Sequence, residues 1–433
     1  MQSTLDYQKN YRGIIGVSAA LVLPDGSIWA GTSGQNTSDP TVLLRTDHLL
    51  GMGSVSKTIT ATAILKLKED GLLLLSDRLS KWSLAFNFVD STITVRQLLN
   101  HTSGIYNYTD NVAFADSVRA DFARVWKPEE VLTKFLKPRL FAPGASWSYS
   151  NSNYVLLGLI IERASGKPYH EYVRTNILEK AGLPNISLFP NEQPNLPIAD
   201  LWADLLGIGV PIDLREVSIS MNGLFSAAWS AGAFLSTPSD IGRFMWLLQR
   251  GDMLSSALLA DMRTTVAAGP GYRYGLGMIE ATLNSKKVFG HDGDIIYKAS
   301  VYYSPSDDVA IAVQTNDGTE TAITNVASDM FKTYLNYKAT LSGKEPDSNP
   351  AFYISPNPFS DELAVHIDLQ ESANLQMQIF NSTGSRLIGW DIEIPSGKQT
   401  MQVGSALAHF PKGIYYLKVN GAGQQGVYKL VKK

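Results

Sequence analysis

The stretch Gly51-Met52-Gly53-Ser54-Val55-Ser56-Lys57-Thr58 carries a glycine-punctuated loop into the helical run Thr58 to Glu69. A spacing of three puts the Ser54 hydroxyl and the Lys57 ammonium on one helical face. The helix start adds unpaired backbone N–H groups and the positive end of a dipole, both of which favour an anionic oxygen forming at Ser54. Nucleophile, candidate base and electrostatic support thus come from four consecutive residues.

On the N-terminal side, the apolar run from Gly13, the turn Pro24-Asp25-Gly26 and Ser27-Ile-Trp-Ala-Gly31 read as an antiparallel hairpin. Downstream, Ile59, Ala63, Leu65 and Leu67 predict a largely buried helix that Gly71 stops. From Asp77 to about Arg215 the pattern is mainly helical segments and loops, among them Val155 to Ala164 and Tyr169 to Leu183. We read this as an inserted helical region, with the cleft along its border. Thr237-Pro238 opens a helix that runs to about Arg250 before Gly251. Lys287 to Phe289, Ala299 to Ser304 and Val309 to Gln314 are strand-like, with a turn at Pro305 to Asp308, and Thr321 to Tyr337 is a closing helix. Strands at both ends with helices between and after predict an α/β fold of the α+β kind, one antiparallel sheet covered by helices.

Composition shifts at Ser342-Gly-Lys-Glu-Pro-Asp-Ser-Asn-Pro350, which is polar and poor in apolar residues and reads as a linker. Beyond it, short alternating strands at 362–369, 375–380, 387–394 and 414–419 predict a small β-sandwich. The expected organisation is a first domain over 1–341, a linker over 342–350 and a second domain over 351–433.

With 37 Lys+Arg against 40 Asp+Glu, the chain has no global basic field, so nucleic acid is not an expected partner. Cysteine is absent, which excludes thiolate nucleophiles and cysteine-ligated metals. The six histidines lack ligand spacing, and we expect no metal and no cofactor. No run approaches the length of a membrane span, and Met1-Gln-Ser-Thr-Leu-Asp6 has no signal character. Any export signal is expected to have been removed or never to have existed.

Two further segments carry polar groups suited to chemistry. Tyr149-Ser150-Asn151 precedes an apolar helix. Tyr149 can relay a proton where a nearby ammonium stabilises its phenolate, and Asn151 can bind a substrate amide while orienting Lys57. The plainer alternative is a half-buried loop tyrosine followed by an N-capping asparagine. In His291-Asp292-Gly293, glycine admits a substrate backbone to a strand edge, and the N–H of Asp294 can join that of Ser54 in holding an oxyanion. His291 is either a polar or cationic wall or a strand-end hydrogen bonder, and Asp292 and Asp294 read as solvated turn residues. No G-x-S-x-G elbow occurs. Asn100-His-Thr-Ser-Gly104 is read as a structural loop, since nothing in the sequence sets it beside Ser54.

The ordered set Ser54-x-x-Lys57, Tyr149-x-Asn151 and His291-x-Gly293 resembles the serine β-lactamase and penicillin-binding-protein superfamily. The resemblance is greatest to the branch of D-alanyl-D-alanine carboxypeptidases, class C β-lactamases, D-aminopeptidases and family VIII esterases. It extends over most of residues 10 to 338 through 95–104, 143–151, 230–234 and 274–277. It implies a β-lactamase/transpeptidase-like fold and a Ser54 acyl-enzyme, with Lys57 and Tyr149 sharing general-base and general-acid work. It further implies that Asn151 holds the substrate amide and that the Ser54 and Asp294 N–H groups form the oxyanion hole. His291 stands where β-lactamases usually carry lysine, which favours the carboxypeptidase, aminopeptidase or esterase branches. Met278-Ile-Glu280 follows Tyr274-Gly-Leu-Gly277, where carboxypeptidase relatives carry an arginine for the substrate carboxylate.

Ile354-Ser-Pro-Asn-Pro-Phe359, Lys412-Gly-Ile-Tyr-Tyr-Leu-Lys-Val419 and Lys429-Leu-Val-Lys-Lys433 resemble the C-terminal type IX secretion sorting domain of Bacteroidetes. The implied partner is the type IX machinery and the implied location is secreted or cell surface. Small peptides, amides or esters are the expected substrates, with peptidoglycan as a potential source. A catalytically silent peptidoglycan-binding protein is the non-enzymatic alternative.

Overall fold

A computed structural model describes residues 1–38, 40–204, 209–269, 271–341, 352–369, 371–381, 385–421 and 424–433. The chain forms two compact units, Met1–Thr333 and Tyr334–Lys433. The linker read at 342–350 lies outside the described residues.

The first unit is organised on a nine-stranded antiparallel sheet. Its strands are β1 (Gly16–Val22), β2 (Ile28–Thr37), β3 (Val42–Leu43), β4 (Val266–Gly269), β5 (Tyr272–Tyr274), β6 (Ile279–Leu283), β7 (Lys286–Ile295), β8 (Tyr297–Ser304) and β9 (Val309–Thr315). Their spatial order is β3-β2-β1-β9-β8-β7-β6-β5-β4, so the N-terminal hairpin docks on the last strand and closes the sheet from sequence-distant parts. The β1–β2 turn is set by Asp25, whose carboxylate accepts from both the N–H and the hydroxyl of Ser27.

Helices cover the sheet. The helix α4 (Pro238–Arg250) starts on Thr237, whose side chain accepts from Asp240 N at 3.1 Å, and it ends at the left-handed Gly251. It buries Ile241, Phe244, Met245 and Leu248, and Gly242 brings its backbone onto Val22 and Ala312 of β1 and β9. The closing helix α5 (Ile323–Leu341) is joined to α1 (Gln2–Arg12) by the Gln8–Asp329 hydrogen bond at 2.7 Å. The sequence does not announce α1, because only Leu5 and Gln8 of its eleven residues are buried and no apolar stripe results.

The helical region holds α3 (Asn151–Ser165), buried continuously from Ser152 to Ile161 and packed beside α2 (Ser56–Glu69), which is buried from Ser56 to Leu65. The polar side chains that α2 takes into the core are satisfied there, the hydroxyls of Thr58, Thr60 and Thr62 donating to the carbonyls of Gly277, Ser230 and Thr58. The segment read as one helix over Tyr169 to Leu183 is instead a short helix, Tyr169–Val173, continued by a π-helical turn, Arg174–Leu178.

In the second unit, strands Phe352–Ser355, Ala364–Leu369 and Gly397–Gln402 form one small antiparallel sheet. Ala373–Asn381, Arg386–Ile394, Gly413–Gly421 and Gln424–Lys432 form a second. Both sheets contribute to one core, with Phe352, Val365 and Ile367 meeting Met377, Leu417 and Leu430, as a sandwich requires. The segments quoted above as the tail's opening and its end are joined in space. Asn357 donates to Lys429 O and accepts from Val431 N, Phe359 N donates to Val431 O, and Lys433 N donates to Phe359 O.

Candidate active site

A 3₁₀ turn, Gly53–Val55, leads into α2 and carries Ser54 at the meeting point of α2, the start of α3 and strand β7. Lys57 is one turn further on and fully buried. Its Nζ stands 2.9 Å from Ser54 Oγ, 2.7 Å from Asn151 Oδ1 and 2.7 Å from the carbonyl oxygen of Ala231. The Tyr149 hydroxyl donates to Ser54 Oγ at 2.7 Å. The structure therefore brings Ser54, Lys57, Tyr149 and Asn151 together.

The protonation pattern follows from burial. Removal from water holds the Lys57 ammonium well below the usual lysine range and pushes the Tyr149 phenol up. Tyr149 is accordingly a phenol, and the phenolate form considered from the sequence is disfavoured. In its neutral form the Lys57 amine can donate its two N–H groups to Asn151 Oδ1 and Ala231 O, which leaves its lone pair for the Ser54 hydroxyl. This inventory satisfies every group around the serine and leaves Lys57 able to take its proton.

Asn151 is the first residue of α3 rather than its N-cap; that place belongs to Ser150, which makes no side-chain capping bond. Asn151 Nδ2 donates to Thr109 Oγ1 at 3.1 Å, and its backbone N–H is taken by Asn107 Oδ1 at 2.9 Å. The amide is therefore oriented from two sides, with one N–H left for a substrate carbonyl.

Strand β7 supplies the opposite wall. Strand β6 pairs with it only as far as Ile279 opposite Gly290, so residues 291–295 have β8 on one side and an open edge on the other. Gly293 is needed where it is: a Cβ there would fall 1.9 Å from Met52 O and 3.1 Å from Ser54 N. A Cβ on Gly53 would fall 2.4 Å from Asp294 N. Two glycines thus let the serine turn sit directly on the strand, making the amides of Ser54 and Asp294 neighbours.

His291 is buried, donates from Nδ1 to Asp292 O at 2.5 Å and accepts at Nε2 from the Tyr274 hydroxyl at 2.9 Å. Burial holds its pKa well below the usual histidine range, so it is a neutral wall and not a cationic one. Asp292 is not a solvated turn residue. It points to the far face of the sheet, half-buried, and accepts from Ser300, Tyr302 and Thr324. The Asp294 side chain is exposed and paired with Lys298 at 2.7 Å.

Sequence reasoning missed Ala231 O, Thr109 and Asn107 as parts of the site. The first is a backbone group and the others lie in an ordinary polar loop, so composition and spacing gave no signal for them. The Asn100–Gly104 loop also proves to be close, with the His101 ring against that of Tyr149.

The family model described as Beta-lactamase matches residues 3–328, and that described as Secretion system C-terminal sorting domain matches residues 353–433. Penicillin-binding protein 4 of Amycolatopsis lactamdurans is 26% identical over 362 residues, covering 77% of this chain and 88% of that protein. A penicillin-binding protein of Bacillus subtilis (strain 168) is 28% identical over 264 residues, and the match spans 58% of this chain but only 56% of that relative. Among solved structures, a D-stereospecific amidohydrolase from Streptomyces sp. aligns with TM-score 0.64 at 30% identity, covering 73% of this chain and 93% of that one. The D-amino acid amidase of Ochrobactrum anthropi SV3 complexed with L-phenylalanine amide aligns with TM-score 0.68 at 25% identity, covering 78% and 98%.

Proposed function

We propose that this chain, which belongs to the Beta-lactamase family and ends in a secretion-system sorting domain, is a serine hydrolase that cleaves D-amino-acid amides or peptides through a Ser54 acyl-enzyme. The observation that carries the reading is Ser54 Oγ held between Lys57 Nζ at 2.9 Å and the Tyr149 hydroxyl at 2.7 Å. In acylation, the Ser54 proton passes to the neutral Lys57 amine as Oγ bonds to the substrate carbonyl carbon. The oxyanion is held by the Ser54 and Asp294 N–H groups. As the C–N bond breaks, Tyr149 gives its proton to the leaving amine and is reprotonated from Lys57, leaving an ester at Ser54. Water then attacks that ester, its proton returns through the same pair, and Ser54 departs with a proton as the acid is released.

Two features support an amide or amidated peptide over a substrate gripped by its terminal carboxylate. Three cations of β5, β7 and β8 that could serve as such a clamp are engaged within the chain: Arg273 on Thr265 and near Glu280, Lys287 on Glu280 at 2.8 Å, and Lys298 on Asp294 at 2.7 Å. The two amide hydrolases among the similar structures point the same way. The tail is proposed as the export address, with release or surface display as its outcome. Intact-protein mass spectrometry after exposure to a D-amino-acid amide, a D-Ala-D-Ala peptide, a penicillin and a nitrophenyl ester tests the reading. An acyl adduct on Ser54 with turnover of the D-amide is expected. No adduct from any of the four would point to the non-enzymatic alternative, and turnover of the ester alone would make the protein an esterase.

A further inference from the structure

We infer that His101 is a positioning residue for Tyr149, an inference that rests on the proton-transfer role given to Tyr149 above. His101 follows the short helix Val95–Leu99 and is completely buried. Its φ of 61° lies in the left-handed region, where a non-glycine residue is uncommon and histidine is among the enriched types. That backbone turn aims two acceptors of one residue at the segment leading into α3. The His101 carbonyl accepts from Ser148 N at 3.1 Å, and its ring Nδ1 accepts from Ser150 N at 3.2 Å. The amides on both sides of Tyr149 are therefore held by His101.

The ring completes the clamp. Its centroid lies 4.4 Å from that of Tyr149, nearer than Tyr274 or His291, each 6.3 Å away. Tautomer and charge follow from the neighbours. Asn153 Oδ1 is taken by the Ser103 hydroxyl at 2.7 Å, so its Nδ2 faces His101 Nδ1 at 3.1 Å. With two donors directed at Nδ1, the single ring proton belongs on Nε2. Protonating Nδ1 would set N–H against N–H and break the clamp. The Tyr149 hydroxyl bonds to Ser54 Oγ, the reacting atom itself. What aims the phenol before reaction is therefore its backbone and the rings around it, and a misplacement of about 1 Å is enough to cost about 10²-fold in rate.

The test is a double-mutant cycle in the full chain, reading single-turnover acylation of Ser54 by a D-amino-acid nitroanilide, whose leaving amine needs a proton, together with thermal unfolding. His101→Ala is expected to slow acylation about 10- to 100-fold while half-saturating anilide changes less than about 3-fold. In a Tyr149→Phe background the same change should cost less than about 3-fold more, because no hydroxyl remains to be aimed. His101→Asn, which tolerates the left-handed backbone and offers a carbonyl to Ser150 N, should recover part of the loss. If His101→Ala does not fold, His101→Asn carries the cycle, with a smaller loss that again vanishes in the Tyr149→Phe background. Equal losses in both backgrounds, or a folded His101→Ala that acylates at the parental rate, would overturn the inference while leaving Tyr149 its role. A Tyr149→Phe protein that acylates at the parental rate would remove that role, and the inference with it.

Discussion

Adding one methyl group at Gly293 should separate the two amides assigned to the oxyanion without replacing the serine, lysine or tyrosine. The Gly293 backbone does not occupy the left-handed region, so alanine is conformationally acceptable and the insult is steric alone. The new carbon would lie 1.9 Å from Met52 O. An ordinary carbon–oxygen contact is about 3.3 Å, so strand and serine turn must part by about 1.4 Å. Loss of one oxyanion donor costs about 10²- to 10³-fold in rate, or roughly 3–4 kcal/mol of barrier. Overpacking should also destabilise the fold by about 1–3 kcal/mol. Gly16→Ala is the control: a Cβ there meets Gln35 O at 2.4 Å and Asn316 Oδ1 at 2.5 Å, in strand β1. Single-turnover acylation by a nitrophenyl ester and thermal unfolding would be read on both variants. Both should melt earlier, and only Gly293→Ala should lose acylation by two orders of magnitude or more. A folded Gly293→Ala protein acylating within about 3-fold of the parent would refute the seat of the serine turn on β7 as the origin of the oxyanion site.

Ser54→Ala should abolish covalent labelling, whereas Ser56→Ala and Ser230→Ala should not, since both side chains are buried in structural bonds, Ser56 Oγ accepting from Phe234 N and Ser230 Oγ donating to Tyr154 O; labelling that survives Ser54→Ala sinks the nucleophile assignment. Acylation should fall as pH is lowered, because the active Lys57 is neutral and protonation removes the acceptor for the Ser54 proton; burial lowers the lysine, which carries the active form to lower pH than a free lysine would allow. A flat profile from about pH 5 to about pH 9 counts against this scheme, as do additive losses in Lys57 and Tyr149 single and double variants. In the tail, Lys432 Nζ donates to the carbonyls of Leu407, Ala408 and Phe410 at 2.7–2.9 Å. Lys432→Met should therefore lower one calorimetric transition of the full chain, by about 1–3 kcal/mol, and leave Ser54 acylation unchanged; an unshifted transition would show that Lys432 does not hold the tail together.

Much of this architecture is written in local patterns. The hairpin turn at Asp25-Gly26, the Thr237-Pro238 helix start and the largely apolar runs in β8 and β9 are short-range signals, and each element forms where its residues predict. The helix α1 is not legible because its docking depends on polar side chains, Gln8 on Asp329 and Thr4 on Thr333, more than three hundred residues away in sequence. The candidate site divides in the same way. Spacing suffices for Ser54 and Lys57, which share one turn. The partners that orient Asn151 come from a loop more than forty residues earlier, and the carbonyl that accepts from Lys57 belongs to Ala231. A backbone carbonyl has no residue type by which to be recognised.

Strand alternation explains how a lysine whose pKa is lowered by burial and a half-buried carboxylate coexist near one another. His291, Asp292 and Gly293 are consecutive, and successive side chains of a strand point to opposite faces. His291 and Gly293 therefore face the site while Asp292 faces away, where burial raises its pKa and the hydroxyls of Ser300, Tyr302 and Thr324 partly restore the anion. Were the register shifted by one residue, that carboxylate would face the serine turn and favour a charged Lys57. The acceptors that do surround Lys57, an amide oxygen and a backbone carbonyl, satisfy its N–H groups without supplying a negative charge. Desolvation is then left unopposed and lowers the lysine, which favours the amine form that the proposed mechanism needs. An Asn151→Asp protein puts this to the test: with a carboxylate 2.7 Å from Nζ in place of the amide, the lysine should hold its proton and the acid limb of acylation should move to higher pH. If Asn151→Asp leaves that limb where it was, the neutral amine is not the species that starts the reaction.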